Sequence, residues 1–149
     1  MSDDLAVHGA LYRALIASGP LADLVGRRIW DEVPEADDNR PQTMPFVVLA
    51  DSSSRNLTAG AINCGAMTEV DTEILVFSKP SQKGTGQGSD EAKRIVAAIR
   101  AAVGDDATLT APGWTFCLQR WLNTAYRRTE DGRTYTATVT VRTRIQPGD

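Results

Sequence analysis

The segment Gly84-Thr85-Gly86-Gln87-Gly88 most readily invites a chemical reading of this chain. Glycine-rich turns that run into a helix can aim backbone N–H groups at a phosphate. A P-loop, however, needs Gly-Lys-Ser/Thr where the helix opens, and here the chain reads Gly88-Ser89-Asp90-Glu91. Two carboxylates in that turn repel a phosphate, and G-x-G-x-G is not the G-x-G-x-x-G spacing of a dinucleotide site. Acids pair at Asp31/Glu32, Asp37/Asp38 and Asp105/Asp106, each at the edge of an element and without a histidine, cysteine or third acid at ligand spacing. They read as solvated side chains. His8 is the single histidine, so a zinc site lacks partners and it is the only imidazole available as a base. Ser52, Ser53 and Ser54 have no nucleophile-elbow setting. Cys64 and Cys117 lack C-x-x-C spacing and read as unpaired, partly buried thiols. These residues point to no catalytic group, no metal and no cofactor, hence to a protein that is not an enzyme.

The elements that carry these residues follow from composition and periodicity. With 149 residues, 42% hydrophobic and 23% charged, the chain has ordinary globular composition, and one domain over 1–149 is expected. No apolar run approaches the ~18 residues of a membrane span. The start Met1-Ser2-Asp3-Asp4 lacks the basic, then apolar pattern of a signal peptide, so synthesis in the cytoplasm is expected. A net charge of −3 repels rather than attracts nucleic acid.

Leu5, His8, Leu11, Tyr12, Leu15 and Ile16 fall at helical spacing, with Asp3 or Asp4 as cap, and Ser18-Gly19-Pro20 stops the run. A short turn of helix over Leu21 to Val25 closes at Gly26. Arg27 to Val33 reads as a strand, Pro34 to Pro45 as loop, and Phe46 to Leu49 as a buried strand. Asp51 to Ala66 reads equally as an extended hairpin or a loop. Glu69 to Phe77 alternates, with Val70, Thr72, Ile74 and Val76 on one side and Glu69, Asp71 and Glu73 on the other. Ser78 to Gly88 carries no pattern of packed structure. Ala92, Ile95, Val96, Ile99 and Val103 mark a helix capped by Ser89 or Asp90 and ended by Gly104. Gly113 to Thr124 alternates Trp114, Phe116, Leu118 and Leu122 against Thr115, Cys117, Gln119 and Trp121. After an Asp131-Gly132 hairpin turn, Tyr135, Ala137, Val139, Val141 and Ile145 face inward, while Thr134, Thr136, Thr138, Thr140, Arg142 and Arg144 face outward. The expected fold is α+β: a mainly antiparallel or mixed sheet of about five strands with two principal helices packed on one face.

One sheet face is then left open, and it sets an acidic strand (Glu69, Asp71, Glu73) against a basic one (Arg142, Arg144). Those charges either pair across strands within one copy or set one copy's acidic edge against a neighbour's basic edge. Loops of about 12 residues or more in a small domain tend to serve function, and three stretches here approach or exceed that length. In the Ser78–Gly88 stretch, Lys79, Gln82 and Lys83 supply polar handles for a partner. Glu69, Asp71, Glu73, Lys79, Gln82, Lys83, Arg142 and Arg144 are therefore the candidate subunit or partner interface.

The order of motifs resembles the tail-terminator (tail-completion) proteins of long-tailed phages and gene transfer agents. The matching pieces are Leu11-Tyr12-Arg13-Ala14-Leu15, then Leu21-Ala22-Asp23-Leu24-Val25-Gly26-Arg27-Arg28-Ile29, then Pro45-Phe46-Val47-Val48-Leu49. Ile74-Leu75-Val76-Phe77, the helix Ala92 to Ile99, and Arg127-Arg128 ahead of Asp131-Gly132-Arg133-Thr134-Tyr135 complete the likeness. The resemblance implies a structural virion protein: a hexameric ring on the head-proximal end of the tail tube that stops tube polymerisation. Its implied partners are other copies of itself, the tail tube protein and a neck or head-completion protein, with DNA passing through the lumen without specific binding and no membrane involved. Another neck component, such as a head-completion or stopper protein, or a minor tail-assembly factor, is the alternative, and a small nucleotide-binding protein a more distant one.

Overall fold

The computed structural model describes residues 2–31, 44–57, 67–79, 89–105, 107–129 and 134–148. In chain order the elements are α1 (Asp3–Ala17), α2 (Gly19–Val25), β1 (Ile29–Trp30), β2 (Phe46–Asn56), β3 (Thr68–Ser78), α3 (Asp90–Val103), β4 (Trp114–Arg128) and β5 (Tyr135–Pro147). The five strands form one sheet in the order β1-β2-β3-β5-β4. β1 runs parallel to β2 and every other pairing is antiparallel, so the sheet is mixed and the fold is α+β.

The core lies between the helices and one sheet face. Val47 and Leu49 of β2, Val70, Ile74 and Val76 of β3, and Ala137, Val139, Val141 and Ile145 of β5 are buried there. Ile95, Ile99 and Val103 of α3 and Val7, Leu11 and Leu15 of α1 close over them. The period-two reading of β3 and β5 and the helical reading of α3 hold along their lengths.

The face of α1 is rotated from its expected position. Ala6, Val7, Ala10, Leu11 and Leu15 are buried, whereas Leu5, Tyr12 and Ile16 are exposed. Apolar side chains occupy more than one flank of this helix, and the small Ala6 and Ala10 let its backbone settle closer to its neighbours. Its cap is Ser2, whose hydroxyl accepts the Leu5 N–H at 3.3 Å, and Asp3 and Asp4 instead occupy the first turn, where the helix dipole favours acids. Ser18 caps α2 by accepting the Leu21 N–H at 3.2 Å, and Gly26, at φ 63°, ends it with a conformation that favours glycine. Ser89 stands at the N-cap position of α3 but makes no capping bond through its side chain. Glu91 in that first turn accepts a hydrogen bond from the Ser78 hydroxyl at 2.6 Å, tying the end of β3 to the start of α3.

β1 is shorter than the expected Arg27–Val33 strand, and β2 is longer than Phe46–Leu49. The Val47 N–H donates to the Arg28 carbonyl at 2.9 Å and the Arg28 Nε donates to the Pro45 carbonyl at 2.8 Å, which locks the two strands side by side. β2 passes an irregularity between Leu49 and Ser52 and continues to Asn56, so the first part of the undecided Asp51–Ala66 stretch is strand. β4 continues to Arg128 and carries two bulges, between Phe116 and Leu118 and between Trp121 and Asn123. Each extra residue shifts the alternation. Trp121 thus packs on the core and Gln119 is buried, while Leu122, expected on the apolar side, is 41% exposed. Thr134, expected outward, is buried, and Cys117 is exposed rather than partly buried. Expectations for residues 32–43, 58–66 (with Cys64), 80–88, 106 and 130–133 lie outside the described residues.

Candidate functional site

The antiparallel register of β3 and β5 decides where the charged candidates meet. Glu69 lies opposite Arg144, Asp71 opposite Arg142, and Glu73 opposite Thr140. On the other flank of β3, Arg55 of β2 lies opposite Glu69, and beyond β5, Arg120 of β4 lies opposite Arg142. Residues opposite one another share a face, so all of these charges gather on the side of the sheet away from the helices.

There both carboxylates are paired with arginines of the same chain. Arg144 Nε donates to Glu69 Oε2 at 2.7 Å, and Arg55 reaches Glu69 Oε1 at 2.6 Å. Arg142 grips Asp71 with two parallel hydrogen bonds of 2.9 and 3.0 Å, and its Nε also stands 3.2 Å from Glu69. Such a fork of guanidinium on carboxylate is among the stronger ion-pair geometries. Glu69, expected on a wet face, is only 2% exposed. The reason is the length of its partners: arginine stems lie over the carboxylate while their heads keep contact with water. Burial by itself pushes the Glu69 carboxyl upward, but the hydrogen bonds from Arg144 and Arg55 and the charge of Arg142 outweigh it, so its pKa is lowered. Hydrogen bonding to Arg142 likewise lowers Asp71, and Asp71 in turn raises Arg142. Three guanidiniums against two carboxylates leave this cluster cationic.

The remaining candidates do not join it. Glu73 is half-buried further along β3. Lys79 is exposed just past the other end of that strand, about 33 Å from Glu69 at the rise of an extended chain. Gln82 and Lys83 lie outside the described residues. Sequence reasoning missed Arg55. Its signal was its place in a strand continuing from Phe46, a continuation that the polar run Asp51 to Asn56 obscured. Also missed was a buried polar link in which Gln119 donates to the Val103 carbonyl at 2.6 Å and accepts from the Thr143 hydroxyl at 2.6 Å. It joins the end of α3 to β4 and β5.

The opposite end of the open face is aromatic. Phe46 sits between Trp30 and Phe77, with ring centroids 5.4 and 4.8 Å away. Among the described residues, open grooves border the sheet edges. One of about 170 Å³ lies between α1 and β1, lined by His8, Gly9, Tyr12, Ile29, Trp30 and Asp31. One of about 460 Å³ lies by the end of β4, where Lys93 of α3 stands 5.7 Å from the centre of the Tyr126 ring. Another, about 550 Å³, follows the start of β4 beside Asp105 and Leu109. Among the described residues, no group of three or more His, Cys, Asp or Glu side chains is placed to hold a metal ion. The arrangement can present rigid, charged and apolar surfaces to other macromolecules.

Comparison with known proteins matches that character. A chain from the virion of a native gene transfer agent particle is 26% identical, with a TM-score of 0.74 and 96% of each chain covered. A second solved chain shares the fold at 14% identity and a TM-score of 0.59, over 100% of this chain and 99% of its own. No curated protein matches the sequence. The model of the family described as tail completion protein gp17 matches residues 9–146, from within α1 to near the end of β5. That span includes β1 to β4, all but the last residue of β5 and all of the charged candidates, and the chain therefore belongs to the tail completion protein gp17 family, structural proteins of the virion tail.

Proposed function

We propose that this chain is a tail terminator: copies of it form a six-membered ring on the head-proximal end of the tail tube, stop further tube polymerisation and offer a surface to the neck. The observation that carries the reading is the family match over residues 9–146. Similarity to a chain of a gene transfer agent virion over 96% of both lengths supports a place in the finished particle. The chemistry is consistent with a structural role, because both carboxylates of the charged cluster are spent on internal pairing. A net charge of −3 also suits a ring through which DNA must pass without being held. The chain is made and assembled in the bacterial cytoplasm and stays at the tail–neck junction. Lys79, with Gln82 and Lys83 beyond it, serves as a contact to the tube or to a neighbouring copy.

Cryo-electron microscopy of assembled particles tests this, together with deletion of the gene. The expected results are six copies at the junction, and overlong or headless tails without them. A single copy there, or a location elsewhere in the particle, would overturn the reading and favour another neck or tail component.

A further inference from the structure

Charge is unevenly placed along this chain. The stretches 78–94 and 126–136 carry seven Lys and Arg against four Asp and Glu, a net of +3. The whole chain is at −3, which leaves −6 for the remainder. The two stretches meet in the fold, where the end of β4 runs beside the first turns of α3 and Lys93 stands over the Tyr126 ring. Between them lies the groove of about 460 Å³, lined by Ser89, Lys93, Tyr126, Arg127, Arg128 and Tyr135.

Each of these six side chains carries a hydrogen-bond donor, and none is acidic or aliphatic. The groove at β1, by contrast, includes Ile29 and Asp31, and the one at the start of β4 includes Asp105, Leu109 and Leu118. The donors are positioned without being consumed. Register sets Arg128 opposite Tyr135, and its guanidinium lies 5.2 Å from the centre of that ring. Aromatic faces rather than carboxylates therefore fix Arg128 and Lys93. Among the described residues, no ion pair engages Lys93, Arg127 or Arg128. Ser89 makes no capping bond through its side chain, so its hydroxyl is available. The two acids of that turn, which argue against a phosphate on the α3 dipole, are turned elsewhere. Asp90 pairs with Arg94 at 2.9 Å, Glu91 accepts from the Ser78 hydroxyl at 2.6 Å, and neither lines the groove.

A cationic groove made of donors alone suits an anion with several acceptor oxygens. Protein interfaces centre on apolar side chains and are depleted in lysine. Arg, Lys, Ser and Tyr, in contrast, are among the side chains that contact the phosphates of nucleic acid. We infer that this groove binds the phosphodiester backbone of nucleic acid through Lys93, Arg127 and Arg128, with the hydroxyls of Ser89, Tyr126 and Tyr135 as further donors. Such contacts carry no sequence information. Three cations at one corner, against a remainder at −6, touch passing DNA without holding it. The inference goes beyond the ring reading and does not depend on the number of copies.

Fluorescence anisotropy of the full chain with short DNA duplexes at low salt tests it. Duplexes of unrelated sequence should bind alike, and log K should fall with log salt at a slope of about −2 to −3 for three neutralised phosphates. Lys93→Gln should make that slope shallower by about one, and combining it with Arg127→Gln and Arg128→Gln should weaken binding by about tenfold or more. All three positions are exposed, so the melting temperature should stay near wild type. Arg120→Gln, at an exposed arginine of β4 outside the groove, should leave binding unchanged. No binding at low salt, or undiminished binding by the triple variant, would overturn the inference. So would equal or tighter binding of polyglutamate, which would make the partner an acidic protein. Equal or tighter binding of inorganic phosphate or ATP would overturn it too, in favour of a small-anion site. None of these outcomes bears on the tail-terminator reading, which the position and copy number of the wild-type chain in the particle decide.

Discussion

The two faces of the central sheet are built from alternate residues of the same strands, yet they are held by different physics. On the helix side, Ile74, Val139, Val141 and Ile99 exclude water through sheer apolar area, and no geometry is demanded beyond close packing. On the open side, Glu69 reaches the same degree of burial without an apolar layer, through three arginines that must be placed to within hydrogen-bond tolerance. Removing area leaves a cavity, whereas removing a charge leaves its partners mutually repelling. The open face therefore gains specificity of register from contacts that contribute modest net stability.

The helix side should be the easier to break. Ile99→Ala removes a fully buried side chain and should cost about 2–5 kcal/mol, read from the urea midpoint at constant slope. A cost near that of a surface change would mean that α3 does not pack as described. Glu69→Ala comes next. A buried partner removed from an ion pair costs about 3–5 kcal/mol, but Arg55 and Arg144 still reach water here, so a loss of about 2–3 kcal/mol is expected. If urea unfolding shows no loss, the arginines re-solvate freely and the contrast between the faces disappears.

Acid should weaken the open face selectively. Glu69 and Asp71 both have lowered pKa values in the folded chain. Their stabilisation is accordingly complete above their unfolded values, about 4.3 and 3.9, and is lost as pH falls through the folded values. Stability measured between pH 7 and 5 should change little on their account and then fall below about pH 4. The double variant Glu69→Gln, Asp71→Asn should show a shallower acid limb than wild type, and an identical limb would remove these two groups as its cause.

The smallest effect sharpens the comparison most. Arg142–Asp71 and Arg94–Asp90 are both ion pairs at 2.9 Å, but the first is under a third exposed on both sides and the second is 69% and 46% exposed. Double-mutant cycles should give a coupling of about 1 kcal/mol for the forked pair and about 0.3–0.5 kcal/mol for the helical one. Equal couplings would show that burial on the open face adds nothing to ion-pair strength.

Much of this molecule was legible because local pattern and tertiary demand agree. Val70 to Val76 and Ala137 to Ile145 alternate at period two, and Ile95, Ile99 and Val103 recur at helical spacing; in each case one side alone is apolar enough to bury. The α+β class and the open face follow from those runs, and so does the placing of acids and arginines on that face. Pattern fails where more than one side qualifies or where spacing is interrupted. Leu5, Tyr12 and Ile16 share the helical spacing of a core face, yet α1 turns Val7, Leu11 and Leu15 inward because Ala6 and Ala10 permit a closer approach. The two bulges of β4 exchange the roles of Trp121 and Leu122, and a bulge leaves no mark in alternation until the partner strand is in place. Sequence alone determined that Glu69, Asp71, Arg142 and Arg144 would share a face, since strand parity is a local property. Only the tertiary structure decided that they would face each other within one copy. That depends on the register of strands some seventy residues apart and on Arg55 arriving from a third strand, and register is set by the packing of the whole sheet.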